Sequence, residues 1–482
     1  MLASHVTAGL IPRRRFLQTA FGVSGLAFLG SRPLRAASRQ TSVRDFELRL
    51  EPSTAPLLGA QDPKVNVWAF NGLVPGPEIR VRQGERVRIV AINNLDRETT
   101  VHWHGLRVPN AQDGVPYLTQ KPIAPGARHV YEFDCLDAGT FWYHPHLGSP
   151  EQVGRGLYGA FIVDEANPPR VDRDLTWVLD DWRVTKSGQL SDDFANRHDM
   201  THGGQLGNIV TLNGTEPSPL QLRRGERLRI RLINAANARI FALSFRGHDP
   251  RIIAYDGQPV QPHAPVGGRI VLAPAMRVDV MLDATADSSQ SYTLRDTYYR
   301  RESYEFLDIE YDEAPLRRDP LPDSITLAAN PLTEPNLAKA ELHEIRFEGG
   351  AMGRLHQARL DGRMLDLREL VRAGKAWAVN GVAANGHVHD PILTLRRGNT
   401  YRLTLVNDTA WPHPIHLHGH SFRVTKRNGT ETELREWQDT VLIAPRESAE
   451  IVFVADNPGD WMFHCHILEH QDGGMMAAIR VA

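Results

Sequence analysis

One short pattern occurs three times along this chain, and that repetition limits what the chain can fold into. The first copy runs from Asn71-Gly72 to Ile79-Arg80-Val81-Arg82-Gln83-Gly84-Glu85-Arg86-Val87-Arg88-Ile89. The second runs from Asn213-Gly214 to Leu222-Arg223-Arg224-Gly225-Glu226-Arg227-Leu228-Arg229-Ile230. The third runs from Asn380-Gly381 to Leu395-Arg396-Arg397-Gly398-Asn399-Thr400-Tyr401-Arg402-Leu403. In each, apolar and charged residues alternate around a glycine. A period of two marks a half-buried strand, and the glycine marks a turn or bulge. A second shared stretch follows. Ile123-Ala124-Pro125 leads to Phe141-Trp142-Tyr143-His144-Pro145-His146, and Ile443-Ala444-Pro445 leads over the same distance to Trp461-Met462-Phe463-His464-Cys465-His466. In the middle copy, Leu272-Ala273-Pro274 leads to Ser291-Tyr292-Thr293-Leu294, without histidine.

Three similar units are therefore expected, at about 40–165, 166–320 and 340–482. Many short strands punctuated by Gly and Pro make the fold class all-β, built of sandwiches or barrels. The proline- and charge-rich stretch 315–336 reads as a linker, and 365–372 as a short helix. Net charge is -2 with no long basic run in the mature part, which argues against nucleic acid or an anionic membrane as partner. Two cysteines exclude a disulfide framework, and Cys135, inside a strand-like run, is expected as a free core thiol. At the N-terminus, Arg13-Arg14-Arg15-Phe16-Leu17 resembles the twin-arginine export motif. The apolar stretch after it, Phe16 to Leu29, is too short for a comfortable membrane span. Residues 1–37 are read as a signal peptide, which implies a periplasmic protein.

Four His-x-His pairs stand out: His102-Trp103-His104, His144-Pro145-His146, His416-Leu417-His418 and His464-Cys465-His466. On a strand, residues i and i+2 share a face, so each pair offers two imidazoles side by side. One pair alone would be packing or surface chance. Two pairs in the first unit and two at matching places in the third point to metal, because buried imidazoles need partners. Imidazole suits copper, zinc, iron or nickel. Cys465 adds a thiolate, His470 follows five residues later and Met475 ten, and His413 precedes His416 by three. Two imidazoles, a thiolate and a weak thioether make a blue-copper ligand set. A zinc site would more often be a closed tetrahedron with paired cysteines, which this chain lacks.

With these motifs the chain resembles the multicopper oxidases, a family that includes laccases, bacterial cuprous oxidases and bilirubin oxidases. The resemblance covers essentially the whole mature chain. It implies three cupredoxin-like Greek-key domains, a middle one without ligands, and a trinuclear cluster between the first and third. It implies four copper ions: one type 1, one type 2 and two type 3. His413, Cys465, His470 and Met475 would hold the type 1 ion, and His102 and His416 the type 2 ion. His104, His144 and His466 would hold one type 3 ion, and His146, His418 and His464 the other. The activity implied is one-electron oxidation of a reducing substrate coupled to reduction of dioxygen to water. Cys465 binds the type 1 ion while its covalent neighbours bind the type 3 pair, giving a short path for electrons.

Asp113, eleven residues after His102, occupies the place of a family acid near the type 2 copper, so with Cys465 and His470 it is a candidate for the catalytic set. Asp113-Gly114 is also a good turn dipeptide. Several bacterial relatives carry a glutamate just after the last type 1 histidine; here that residue is Gln471. Cuprous oxidases carry a methionine-rich insert in the third domain, where this chain has only Met352 and Met364. Phenols and aromatic amines are thus the expected reductants of a monomeric enzyme, with metal ions second. A nitrite reductase would not need ten histidines in this arrangement, and a non-enzymatic relative would have lost ligands.

Overall fold

The computed structural model describes residues 43–317, 319, 325–386, 388 and 390–482. The export signal expected at residues 1–37 lies outside them. The described chain is dominated by strands, arranged as three successive two-sheet units with cupredoxin-like topology. In the first unit, Val65–Phe70, Val43–Ala55, Arg86–Asn93 and Arg128–Asp134 form one sheet. Gly76–Arg82, Gly159–Asp164, Gly139–His144 and His102–His104 form the other. The same plan recurs with six and five strands in the second unit and seven and five in the third.

The recurrence extends to register. Each unit opens with a parallel pair, Leu48 opposite Ala91, Trp177 opposite Leu232 and Ile345 opposite Leu405. Each closes its second sheet with another parallel pair, Ile79 opposite Phe161, Leu222 opposite Tyr311 and Leu395 opposite Val481. Parallel partners cannot be joined by a tight turn, so the chain crosses between sheets and seals the sandwich. The repeated Asn-Gly pairs are turns of left-handed backbone: φ is 53°, 53° and 50° at Asn71, Asn213 and Asn380. Asparagine tolerates that conformation and ties it down. Its Oδ1 accepts from the backbone N–H of Arg49 (2.6 Å), Val178 (2.8 Å) and Arg346 (2.8 Å) respectively.

Each unit has its own apolar core, and a further cluster joins the first two. There Trp142, Tyr158 and Ile162 pack on Val178, Trp182 and Ile233. Two local expectations need adjusting. The described part of the 315–336 linker is strapped down: Asn330 donates to Ala138 O (2.8 Å) and accepts from Ala138 N–H (2.8 Å), satisfying a buried loop backbone. The short helix is Leu367–Arg372, because Arg363–Asp366 pairs with Gln357–Leu360 and Asp366 caps the helix in a reciprocal box with Glu369. No described helix is long and apolar enough to cross a membrane.

Candidate metal centre

Two pairs of antiparallel strands carry the histidines. In the first unit His102 lies opposite His144, and in the third His416 lies opposite His464. Alternation along each strand then puts both members of a His-x-His pair on one face. Ring centroids within the four pairs are 5.7, 5.9, 4.8 and 5.4 Å apart. The two faces meet, so that all eight rings are buried together. Donor nitrogens of His104, His144 and His466 lie within 4.8 Å of one another, as do those of His146, His418 and His464, and of His102, His104 and His416. The first two sets bring together the residues that the resemblance implied for each type 3 ion; the third adds His104 to His102 and His416, so His104 is shared between two sets.

Hydrogen bonds set the tautomers. The Nδ1–H of His102 donates to Asp113 O (2.8 Å), that of His144 to Pro145 O (2.9 Å) and that of His416 to Asp439 O (2.9 Å). A carbonyl only accepts, so in each case the lone pair sits on Nε2, and each of those Nε2 atoms is buried without a partner. His104 is turned the other way: Nε2 faces Asp439 Oδ1 (3.2 Å) and Nδ1 is the orphan. His418 donates from Nδ1 to Asp113 Oδ2 (2.8 Å) and His464 donates from Nδ1 to Cys465 O (2.9 Å). Their Nε2 atoms, both lone-pair bearers, stand 3.1 Å apart. Two lone pairs facing each other in a dry site repel, unless a cation lies between them. Copper fits this donor set, with only nitrogen offered by the eight rings.

Burial disfavours the charged imidazolium, so His104, His144, His146, His418, His464 and His466 are held well below the usual histidine pKa. The sign is direct: the unfolded chain binds protons that the folded one refuses. Folding stability of the metal-free protein is full above the unfolded histidine value and is lost as pH falls below it. We expect the urea midpoint of metal-free protein to drop continuously from pH 7 to pH 5, in a titration run with chelator. A flat profile across that range would mean that these rings are charged in the folded protein.

A second group sits deeper in the third unit. Cys465 Sγ lies 3.4 Å from His413 Nδ1 and 3.7 Å from His470 Nδ1, and the two nitrogens are 3.1 Å apart. Burial pushes the thiol pKa up and the His470 pKa down to about 3, so His470 is a neutral imidazole ready to ligate and Cys465 stays a thiol until a cation draws off its proton. Met475 is fully buried in the same core, and its carbonyl accepts from the Cys465 N–H (3.1 Å). Trp377 covers His470, with ring centroids 4.2 Å apart. Cys135 and Cys465 are both free and buried.

Asp113 bridges the units. Its carbonyl takes His102, its Oδ2 takes His418, and its Oδ1 is buried without a hydrogen bond, 3.3 Å from His102 Nδ1. It is a turn residue too: a Cβ on Gly114 (φ 80°) would meet Val101 O at 1.9 Å. Residues that sequence reasoning did not single out complete the centre. Asp439 faces His104 and lies 3.4 Å from His416 Nδ1. Arg277, from the middle unit, grips both Asp439 oxygens (2.8 and 2.5 Å). Burial opposes ionisation of Asp439, but Arg277 overrides it and holds the carboxyl below its ordinary pKa. Asp256 accepts from the backbone N–H groups of Asp439 and Thr440, both at 3.1 Å. Gln471 lines a small cavity with His146, Val115, Leu118, Met462 and Met476, against the cluster.

Three family models, each described as multicopper oxidase, match residues 53–168, 173–311 and 363–482. The multicopper oxidase MmcO of Mycobacterium tuberculosis is 30% identical, over 95% of this chain and 91% of its own length. A laccase of Neurospora crassa is 28% identical, over 86% of this chain and 74% of its own. The crystal structure of a multicopper oxidase from Pseudomonas thermotolerans superposes with a TM-score of 0.78 at 33% identity, covering 92% of this chain and all of that one (100%).

Proposed function

The chain belongs to the multicopper oxidase family, and on that footing we propose that it is a laccase-like oxidase of phenols and aromatic amines. At the coarser level it is a copper-dependent oxidoreductase with dioxygen as acceptor. We assign type 1 copper to His413, Cys465, His470 and Met475, type 2 to His102 and His416, and the type 3 pair to His104, His144, His466 and to His146, His418, His464. The observation that carries this is the pair of facing lone pairs, 3.1 Å apart, on His418 and His464, two histidines from different strands of one ring of eight. When bound, the four copper ions each take one electron and together deliver four to dioxygen.

The residues of the chain do the rest. Cys465 is covalently flanked by His464 and His466, so the electron path from the type 1 group to the cluster is a few bonds long. Asp113 orients His102 and His418, and its Oδ1, which makes no hydrogen bond, is the atom we assign to holding a proton for the cluster. Gln471 cannot supply a proton as a carboxylic acid would, so that task falls to Asp113, to water or to another acid. Both halves of the centre lie in one chain, which supports a monomer. Arg13-Arg14-Arg15-Phe16-Leu17 supports export to the periplasm by the twin-arginine route.

Oxygen uptake by the copper-loaded protein tests the substrate reading. A simple phenol and buffered Cu(I) are compared, each with and without added Cu(II). Fast uptake with phenol alone is expected. Uptake only with Cu(I), or with phenol only after extra copper is added, would replace this reading by a metal-ion oxidase. One feature favours that second reading: the outward nitrogen of His470 donates to the main-chain carbonyl of His202, at the end of the short helix Arg197–Thr201 that carries His198.

A further inference from the structure

Between Met352 and Lys375 the third unit makes a hairpin and a short helix that hold none of the assigned copper ligands. From Arg354 to Lys375 there are six basic and three acidic residues, on a chain of net charge -2. The acids are engaged locally. Asp366 and Glu369 close the helix cap, and Asp361 accepts from Asn385 Nδ2 (2.7 Å). The arginines are not. Arg354, Arg359, Arg363, Arg368 and Arg372 are all exposed, and none forms an ion pair or side-chain hydrogen bond with another described residue. By contrast, the exposed Arg44 and Arg435 each pair with a glutamate (3.5 and 2.6 Å).

Apolar side chains stand among these charges. Arg359 pairs with Met364 across the hairpin and bridges Val382 on its other side, so the three share a row. Met364 is 53% exposed, Val382 40%, and Leu367, at the helix start, 38%. Single exposed apolar residues are ordinary. A row of them edged by unpaired guanidiniums has the make-up of a protein interface, where Arg and Met are enriched and Lys is depleted. The one lysine here, Lys375, is buried, and its Nζ donates to Asp472 O (2.7 Å). That bond fixes where the surface lies. Asp472 ends the helix that carries His470, and the N–H groups of Ala376 and Trp377 both donate to Gly473 O (2.9 and 3.1 Å). Trp377 covers His470. One short segment therefore joins the arginine-rich face to the ring that faces Cys465.

We propose that this hairpin and helix dock a small acidic protein that brings electrons, one at a time, to the type 1 group. Carboxylates around the partner's redox centre meet the arginines, and its apolar collar meets Met364, Leu367 and Val382. The acids interleaved at Asp361, Asp366 and Glu369 favour a patterned partner over a uniformly anionic surface. In each encounter the donor's centre is oxidised by one electron, which enters through His470 and Cys465. Four encounters, four protons and one dioxygen yield two waters. This rests on the oxidase reading above and adds a protein donor to its substrates.

The test uses copper-loaded protein alongside the surface variant Arg359→Gln/Arg363→Gln/Arg368→Gln/Arg372→Gln, at low salt. Binding of oxidised plastocyanin, an acidic electron carrier, needs no turnover and should weaken at least about tenfold in the variant. Bleaching of the blue band by reduced plastocyanin, without oxygen, should slow by a similar factor in the variant, and in the wild type at high salt. Oxygen uptake with a phenol should stay unchanged, and bleaching by reduced cytochrome c, a basic carrier, should not slow. Equal plastocyanin binding in the two proteins would overturn the docking surface. So would a loss with the phenol in step with plastocyanin. Wild-type protein that floats with phosphatidylserine vesicles and prefers neither carrier would also overturn it, by giving the face to a lipid. Wild-type protein that consumes no oxygen with any donor would sink the oxidase reading instead, and plastocyanin binding alone would then decide the surface.

Discussion

Replacing Cys465 by serine is expected to remove the intense blue absorption and to cut oxygen uptake with any one-electron donor by more than about a hundredfold. That floor is the upper end of what losing a mere supporting partner of a metal ligand costs, and Cys465 is assigned as the ligand itself. The physical case is local. Sγ touches His413 and His470, and the backbone on either side belongs to His464 and His466. Serine is close in size, so the fully buried position should keep its packing, at a cost of about 1–3 kcal/mol for a hydroxyl in a dry core. Copper analysis should find three ions per chain in place of four. A Cys465→Ser protein that stays blue, or turns over at wild-type rate, would show that electrons reach the cluster by another route.

Arg277→Met should have the second largest effect, although Arg277 touches none of the assigned copper ligands by hydrogen bond. Its guanidinium is fully buried and makes four hydrogen bonds: to both Asp439 oxygens, Thr140 O (3.1 Å) and Ala275 O (3.1 Å). Methionine fills similar volume but leaves Asp439 as a lone buried carboxylate. Breaking a buried pair in this way costs about 3–5 kcal/mol. Asp439 would be expected to take up a proton or swing away; His104 would lose its carboxylate acceptor and His416 its 3.4 Å side-chain approach, while the Asp439 carbonyl still takes the His416 Nδ1–H. We expect copper affinity of the cluster to fall by about 10- to 100-fold, with the type 2 electron paramagnetic resonance signal changed and the melting temperature lowered. Arg277→Lys should recover part of the stability but little of the geometry, since an ammonium cannot make the two-pronged contact. Normal copper content and an unaltered signal in Arg277→Met would show the middle unit to be a spacer.

That comparison explains what could be read from the chain and what could not. The all-β class and the threefold repeat were legible because alternation and Asn-Gly turns are local properties. That both members of each His-x-His pair share a face was legible as well, since i and i+2 on a strand point the same way whatever lies across the sheet; which rings gather into threes was implied only by the family resemblance. Asp439 and Arg277 were not legible. Their contact spans 162 positions, and the His104 contact of Asp439 spans 335. Nothing local distinguishes a buried arginine in a strand from the exposed ones of the same repeat, such as Arg88. The middle unit lacks histidine at the repeat positions and so reads as silent, yet it supplies Arg277 and Asp256 to the cluster and His202 to His470. The helix start at Leu367 was missed by two residues because Asp366 is both the last strand residue and the cap.

The meeting of first and third units also bears on how the molecule resists unravelling. His102 and His464 are 362 positions apart, and a shared ion cluster would cross-link them. Closing a loop of that length restricts the unfolded chain by roughly 5–6 kcal/mol in a chain-entropy description. Copper would then act as a clasp as well as a reagent. The loaded protein should withstand proteases and pulling at its ends far better than the empty one, although the two share one set of sheets. Removal of metal would open the chain first at the seam between its two termini.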